Sequence, residues 1–102
     1  MLTEDVLAKY RSRRLEDLEI CHKSLLIRDF TAIERVGHKL KGNGVTFGYP
    51  ELSKLGEDLE NSAQASDMSR LMSSIRVLEG WVKEMVKESP DTPEPMIRSD
   101  LA

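Results

Sequence analysis

The chemistry available to this chain is concentrated in the run His38-Lys39-Leu40-Lys41-Gly42-Asn43-Gly44, inside a segment that otherwise patterns as helix. Turned at about 100° per residue, residues 29–44 place Phe30, Ile33, Val36, Gly37, Leu40 and Gly44 on one face. His38 falls roughly 150° from the middle of that stripe, so its imidazole is expected to face solvent. Its helical neighbours are Glu34 and Arg35 one turn back and Lys41 and Gly42 one turn ahead. A neutral imidazole has a free lone pair, and its unperturbed pKa of about 6.5 makes it a competent nucleophile near neutrality without a separate base. Lys41 places an ammonium where it can approach the oxygens of an anionic group carried on that ring.

Gly37, Gly42, Gly44 and Gly48 crowd into this same stretch. Each glycine costs a helix interior about 0.8–1 kcal/mol relative to alanine, so helix stability does not select them. Gly42, on the exposed face one turn beyond the histidine, removes a side chain where a partner surface would have to come close. Gly44 and Gly48 are expected to end or loosen the helix.

A self-contained nucleophilic enzyme would also need a base, an orienting group and a pocket, and the spacing offers no such set. His22, the other histidine, has neither a lysine three residues on nor a glycine four residues on and reads as an ordinary flanking residue. Glu34 and His38 at i, i+4 would be half of a helical metal site, and no second His/Glu pair completes it. No metal or cofactor is expected.

The pattern His38-x-Leu40-Lys41-Gly42, followed by Gly48, Leu52, Leu55, Leu59 and Glu60, resembles the signature of histidine phosphotransfer (HPt) domains, the four-helix phosphocarriers of bacterial and eukaryotic phosphorelays. The likeness extends over most of residues 4–88, with weaker echoes in Arg13-Arg14-Leu15 and Asp29-Phe30. It implies that His38 accepts and donates a phosphoryl group between a histidine kinase and response-regulator receiver domains. It also implies that Lys41 assists, and that magnesium and the acceptor aspartate belong to the receiver. Glu60 stands where these domains carry a Gln or Glu that hydrogen-bonds the histidine ring and fixes its tautomer; a solvated helix carboxylate is the other reading of this residue. Arg35, Lys39 and Gly44 complete the expected docking face around Gly42. The alternative function is a bundle that docks on a receiver or kinase without carrying phosphate.

These residues need a rigid frame. The chain of 102 residues is long enough for one small core, and with two Phe, two Tyr and one Trp that core must be mostly Leu, Ile, Val and Met, which suits a helical bundle. A net charge of −3 with no concentrated basic face argues against nucleic-acid binding. No apolar run approaches the roughly 20 residues of a membrane span, and acids stand where a signal peptide would carry positive charge, so a cytoplasmic protein is expected. The single cysteine, Cys21, reads as a small buried hydrophobe in a reducing compartment.

The fold expected is all-α, an antiparallel up-down four-helix bundle with helices near 12–27, 29–44, 50–65 and 67–88, preceded by a short extra N-terminal helix and standing as a monomer. Thr3, Asp29 and either Ser66 or Asp67 are the expected N-caps, and Pro50 suits the first turn of the third helix. The inward stripes are Leu15, Leu18, Cys21 and Leu25 with Leu26; then Leu52, Leu55, Leu59 and Ala63; then Met68, Leu71, Met72, Ile75, Leu78, Val82, Met85 and Val86. Gly56 and Glu60 lie just off the second of these, on one side. Arg11, Arg13 and Arg14 read either as a solvated stripe or as an electropositive patch that meets an acidic partner. The bundle is expected to occupy residues 1–88, with the proline-rich residues 89–102 forming an extended or disordered tail.

Overall fold

The computed structural model describes residues 2–88, which form four helices: α1 (Glu4–Leu26), α2 (Phe30–Asn43), α3 (Pro50–Gln64) and α4 (Met68–Glu88). The tail expected over residues 89–102 lies outside the described residues. Each helix packs on the next and α1 also packs on α4, closing an antiparallel up-down bundle. Among the described residues there is no strand, and no helix is long and apolar enough to cross a membrane.

The helix ends follow from a few polar side chains. Thr3 Oγ1 accepts from the Val6 N–H at 3.2 Å and caps α1, and Asp29 Oδ1 accepts from the Ala32 N–H at 3.2 Å and caps α2. Asp67 Oδ1 accepts from the Arg70 N–H at 3.1 Å and caps α4, which decides between the two candidates there. The α1–α2 and α3–α4 turns share one construction. Arg28 (φ 58°) and Ser66 (φ 52°) take the left-handed conformation just past a helix end, and the N–H groups of Asp29 and Asp67 reach back to the carbonyls of Ser24 (2.8 Å) and Ser62 (2.9 Å). This is the Schellman arrangement with a non-glycine residue at the strained position, and in both turns the next residue is the aspartate that starts the following helix.

The separate N-terminal helix is not present; its residues are the opening turns of α1. No Gly or Pro interrupts residues 4–26, and one inward face, Tyr10-Arg14-Asp17-Cys21-Ser24, runs at helical spacing straight through Ser12. That face also corrects the expected stripe. Cys21 is fully buried, whereas Leu15, Leu18 and Leu25 are only partly covered and Leu26 is 85 % exposed. Two of the three arginines, Arg11 and Arg14, are buried, so neither reading of a solvent-facing basic stripe holds for them. On α4 the seam is as expected except at Met68, which is only partly buried and lies outside the core cluster, and at Met72, which is 47 % exposed.

The core is therefore built mainly by α2, α3 and α4, with Ile33, Val36, Leu40, Leu52, Leu59, Leu71, Leu78 and Met85 among its most buried side chains. Phe47 closes one end, stacked on Tyr10 with ring centroids 4.2 Å apart, while Trp81 meets Tyr49 edge-on at 6.2 Å.

Candidate functional site

The α2–α3 contact is set by two glycines facing each other. A Cβ on Gly37 would lie 2.6 Å from the Gly56 carbonyl oxygen and 2.6 Å from the Glu60 nitrogen, and one on Gly56 would collide with the backbone nitrogen of Lys41. The two helices thus touch backbone to backbone, closer than any side-chain-bearing pair allows. Glu60, one turn beyond Gly56 on the same side of α3, is delivered by that approach to His38, the residue after Gly37, and to Lys41, one turn beyond Gly37.

The resulting geometry is compact. His38 Nδ1 lies 3.0 Å from Glu60 Oε2, and Lys41 Nζ lies 3.5 Å from Glu60 Oε1, so each carboxylate oxygen has its own partner. The His38 side chain remains 75 % exposed while that of Glu60 is 13 % exposed. The hydrogen bond from His38 holds the Glu60 carboxyl below its ordinary pKa; partial burial opposes this and the Lys41 charge reinforces it. An ionised carboxylate only accepts hydrogen bonds, so the proton of a neutral His38 ring sits on Nδ1 and the lone pair is on Nε2. The outward histidine is where its helical phase places it, and Glu60 is in contact with it rather than free in solvent.

Gly42 is exposed, with no atom within 4 Å of where its Cβ would be, so the surface beside His38 is bare at that point. Arg35 is exposed as well. Glu34 accepts from Gln64 Nε2 at 2.8 Å across the α2–α3 groove, which commits the carboxylate once paired with His38 as half of a metal site. Gly44 corrects its expected place on the docking face. It is buried, and a Cβ there would lie 2.5 Å from the Ser53 nitrogen and 2.8 Å from the Tyr49 carbonyl oxygen. Gly44 is a third close-approach glycine between α2 and α3; Gly48, with φ of 87°, is the one whose backbone conformation requires glycine in this loop.

Lys39, next to the histidine, turns the other way, toward α1. Its Nζ lies 3.5 Å from Oδ1 of Asp17, whose Oδ2 is 2.9 Å from Arg14 Nε. The Arg14–Asp17 contact is an ion pair lacking the alignment of a directed hydrogen bond, and Nε and Nη1 of Arg14 make none. The Arg14 guanidinium lies over the Tyr10 ring, 4.1 Å from its centroid, and the Tyr10 hydroxyl donates to Asn43 Oδ1 at 2.8 Å. Apolar periodicity missed Asp17 and Arg14. The available signal was their place at helical spacing between Tyr10 and Cys21. His22 stands apart at the surface, 4.0 Å from Glu79. Burial pushes the Cys21 thiol up to about 12, leaving it an unreactive core group.

The site is therefore an exposed imidazole with one nitrogen anchored and the other free, flanked by an ammonium and a bare glycine, on a helix clamped to its neighbour. The model of the Hpt domain matches residues 5–89, from the first turn of α1 to the end of α4. Neither a curated protein nor a solved structure gives a match to the chain. With a match that spans the whole bundle, the chain belongs to the Hpt domain family.

Proposed function

We propose that this protein relays phosphoryl groups through His38, receiving them from a histidine kinase or a receiver domain and passing them to a receiver domain. Hpt domains serve histidine phosphotransfer in phosphorelays as phosphocarriers rather than enzymes, and they work with kinases and receivers of two-component systems. The observation that carries the assignment to His38 is the 3.0 Å contact of its Nδ1 with Glu60 on an otherwise exposed ring.

In the forward step the Nε2 lone pair attacks the phosphorus of a receiver's aspartyl phosphate. The N–P bond forms as the P–O bond breaks, and the aspartyl carboxylate leaves with the bonding electrons. The ring, now phosphorylated on Nε2 and still carrying its Nδ1 proton, is an imidazolium. Glu60 faces the side on which that positive charge develops and stabilises it, as a preplaced carboxylate does for any charge arising during a reaction. Donation runs the same path in reverse. Lys41 neutralises phosphoryl charge, Gly42 admits the partner's surface, and Arg35 provides a cationic docking contact, while Lys39, expected beside it, is turned to Asp17; the magnesium and the aspartate come with the receiver.

The test is incubation of the full chain with a phosphorylated receiver or an autophosphorylating kinase from the same cell. Label that is acid-labile and base-stable is expected on His38 and absent in His38→Gln, which keeps its fold because the side chain is exposed. Label that persists in His38→Gln overturns the assignment. A bundle that binds the receiver and never acquires label is a docking module.

A further inference from the structure

On the opposite flank of α2 from Glu60, a cleft of about 240 Å³ opens between the first half of α1 and the C-terminal end of α2. Its walls include Lys9, Tyr10, Arg13, Arg14, Asn43 and Phe47. Among the described residues, no carboxylate lines it. Lys9 and Arg13, one turn apart on α1, are exposed and have no ion-pair partner among the described residues. Behind them Arg14 is buried, and Asp17, the one carboxylate it meets among the described residues, is shared with Lys39. Asn43 spends its carbonyl oxygen on the Tyr10 hydroxyl, which leaves its amide N–H groups as donors at the cleft.

Polar groups that are nearly all donors, with a net positive charge held partly out of water, select an anion. The two unpaired charges of Lys9 and Arg13 are better answered by a dianion than by a single carboxylate, and a phosphate monoester is close to a dianion at neutral pH. The stacked rings of Tyr10 and Phe47 supply an apolar wall for whatever the phosphate is attached to. We propose that this cleft is a binding site for a small phosphate monoester, its phosphate held by Lys9, Arg13 and the Asn43 amide in front of Arg14, and its organic part against Phe47. The site is separate from phosphoryl transfer at His38 and does not rest on it.

The experiment is titration of the full-length, unphosphorylated protein with phenyl phosphate and, in a second arm, with inorganic phosphate, at constant ionic strength, followed by amide and side-chain NMR shifts. Saturable shifts centred on Asn43 and Arg13 are expected, with phenyl phosphate the tighter ligand because only it uses the aromatic wall. Asn43→Asp keeps an acceptor for Tyr10 and replaces the donor by a negative charge; Lys9→Gln with Arg13→Gln alters only exposed residues. Each is expected to raise the dissociation constant about tenfold or more, the loss of one charge-assisted hydrogen bond. His38→Gln is expected to bind as the parent does. Shifts centred on His38 and Lys41, binding as tight as the parent's by either substituted protein, or no saturation with either phosphate overturns the site.

Discussion

The two flanks of α2 are held by opposite physics. Toward α3 the contact is steric: Gly37, Gly44 and Gly56 leave no room for a Cβ, and the helices lock at a fixed separation. Toward α1 the contact is electrostatic, with Lys39 reaching the buried Asp17, Asp17 meeting Arg14, and Arg14 lying on Tyr10. His38 takes its orientation from the first flank through Glu60. A backbone-to-backbone contact fixes position closely because repulsion rises steeply over a few tenths of an ångström, whereas a long cation on a carboxylate can shift without much loss. The reactive ring is anchored from the rigid side and the neighbouring lysine from the adjustable one.

The sharpest way to break this contrast is to force the glycine contact apart. Gly56→Val is expected to cost about 4 kcal/mol or more, because the new atoms meet backbone that cannot rotate away. Urea denaturation measures it, and any protein that remains folded should have lost the His38–Glu60 contact by NMR. A small cost would mean that α3 slides easily and that the glycine pair is not the clamp.

On the α1 flank, Asp17→Leu is expected to cost about 3 kcal/mol by leaving Arg14 buried beside no carboxylate, while the double replacement Arg14→Leu with Asp17→Leu should cost less than the single one. The double-mutant cycle from chemical denaturation tests this; a double variant worse than Asp17→Leu alone would show that stacking of Arg14 on Tyr10 outweighs the ion pair.

Gly42 should respond in the opposite sense to Gly56. Gly42→Ala enters open space on α2 and is expected to stabilise the fold by up to about 1 kcal/mol, while Gly42→Gln should also slow transfer from a phosphorylated receiver by obstructing its approach. Transfer at the parent rate in Gly42→Gln would remove the steric reason for that glycine.

The gentlest probe is pH. The carboxyl of Glu60 is held below its ordinary value in the fold by the hydrogen bond from His38, so the unfolded chain binds more protons in that window and stability rises with pH across it. The contribution is fully present above the ordinary carboxylate range and is lost as pH falls through the depressed value. The urea midpoint of the parent should therefore exceed that of Glu60→Gln most near neutrality, and the gap should narrow on acidification. A gap independent of pH would show that Glu60 is not ionised against His38.

Helices α2, α3 and α4 were legible because their inward residues are apolar at helical spacing, and hydrophobic burial is what such a pattern encodes. On α1 the same reasoning chose the wrong emphasis. Its inward face is periodic but carries Tyr10, Arg14, Asp17 and Ser24, so a hydropathy pattern passes over it and selects Leu26, which is exposed. Charged residues become core residues only when a partner of opposite sign is close, and spacing along one helix does not disclose what the next helix brings. Gly44 was misplaced for a related reason: a glycine beside a reactive residue can clear the way for a partner or for the protein's own next helix.

By itself the sequence determined what is local: the outward phase of His38, the caps at Thr3 and Asp29, Pro50 at the start of α3, and the bare position at Gly42 one turn beyond the histidine. These depend on residues within a turn or two, where helix geometry leaves little freedom. The tertiary structure alone decided that Glu60 meets Nδ1 of a histidine on another helix, that Gly37 and Gly56 make that meeting possible, and that Asp17 holds Lys39 away from it. Those contacts join residues about twenty positions apart, and their existence depends on the separation and rotation of packed helices, which short-range repulsion and buried charge set only once the chain has folded.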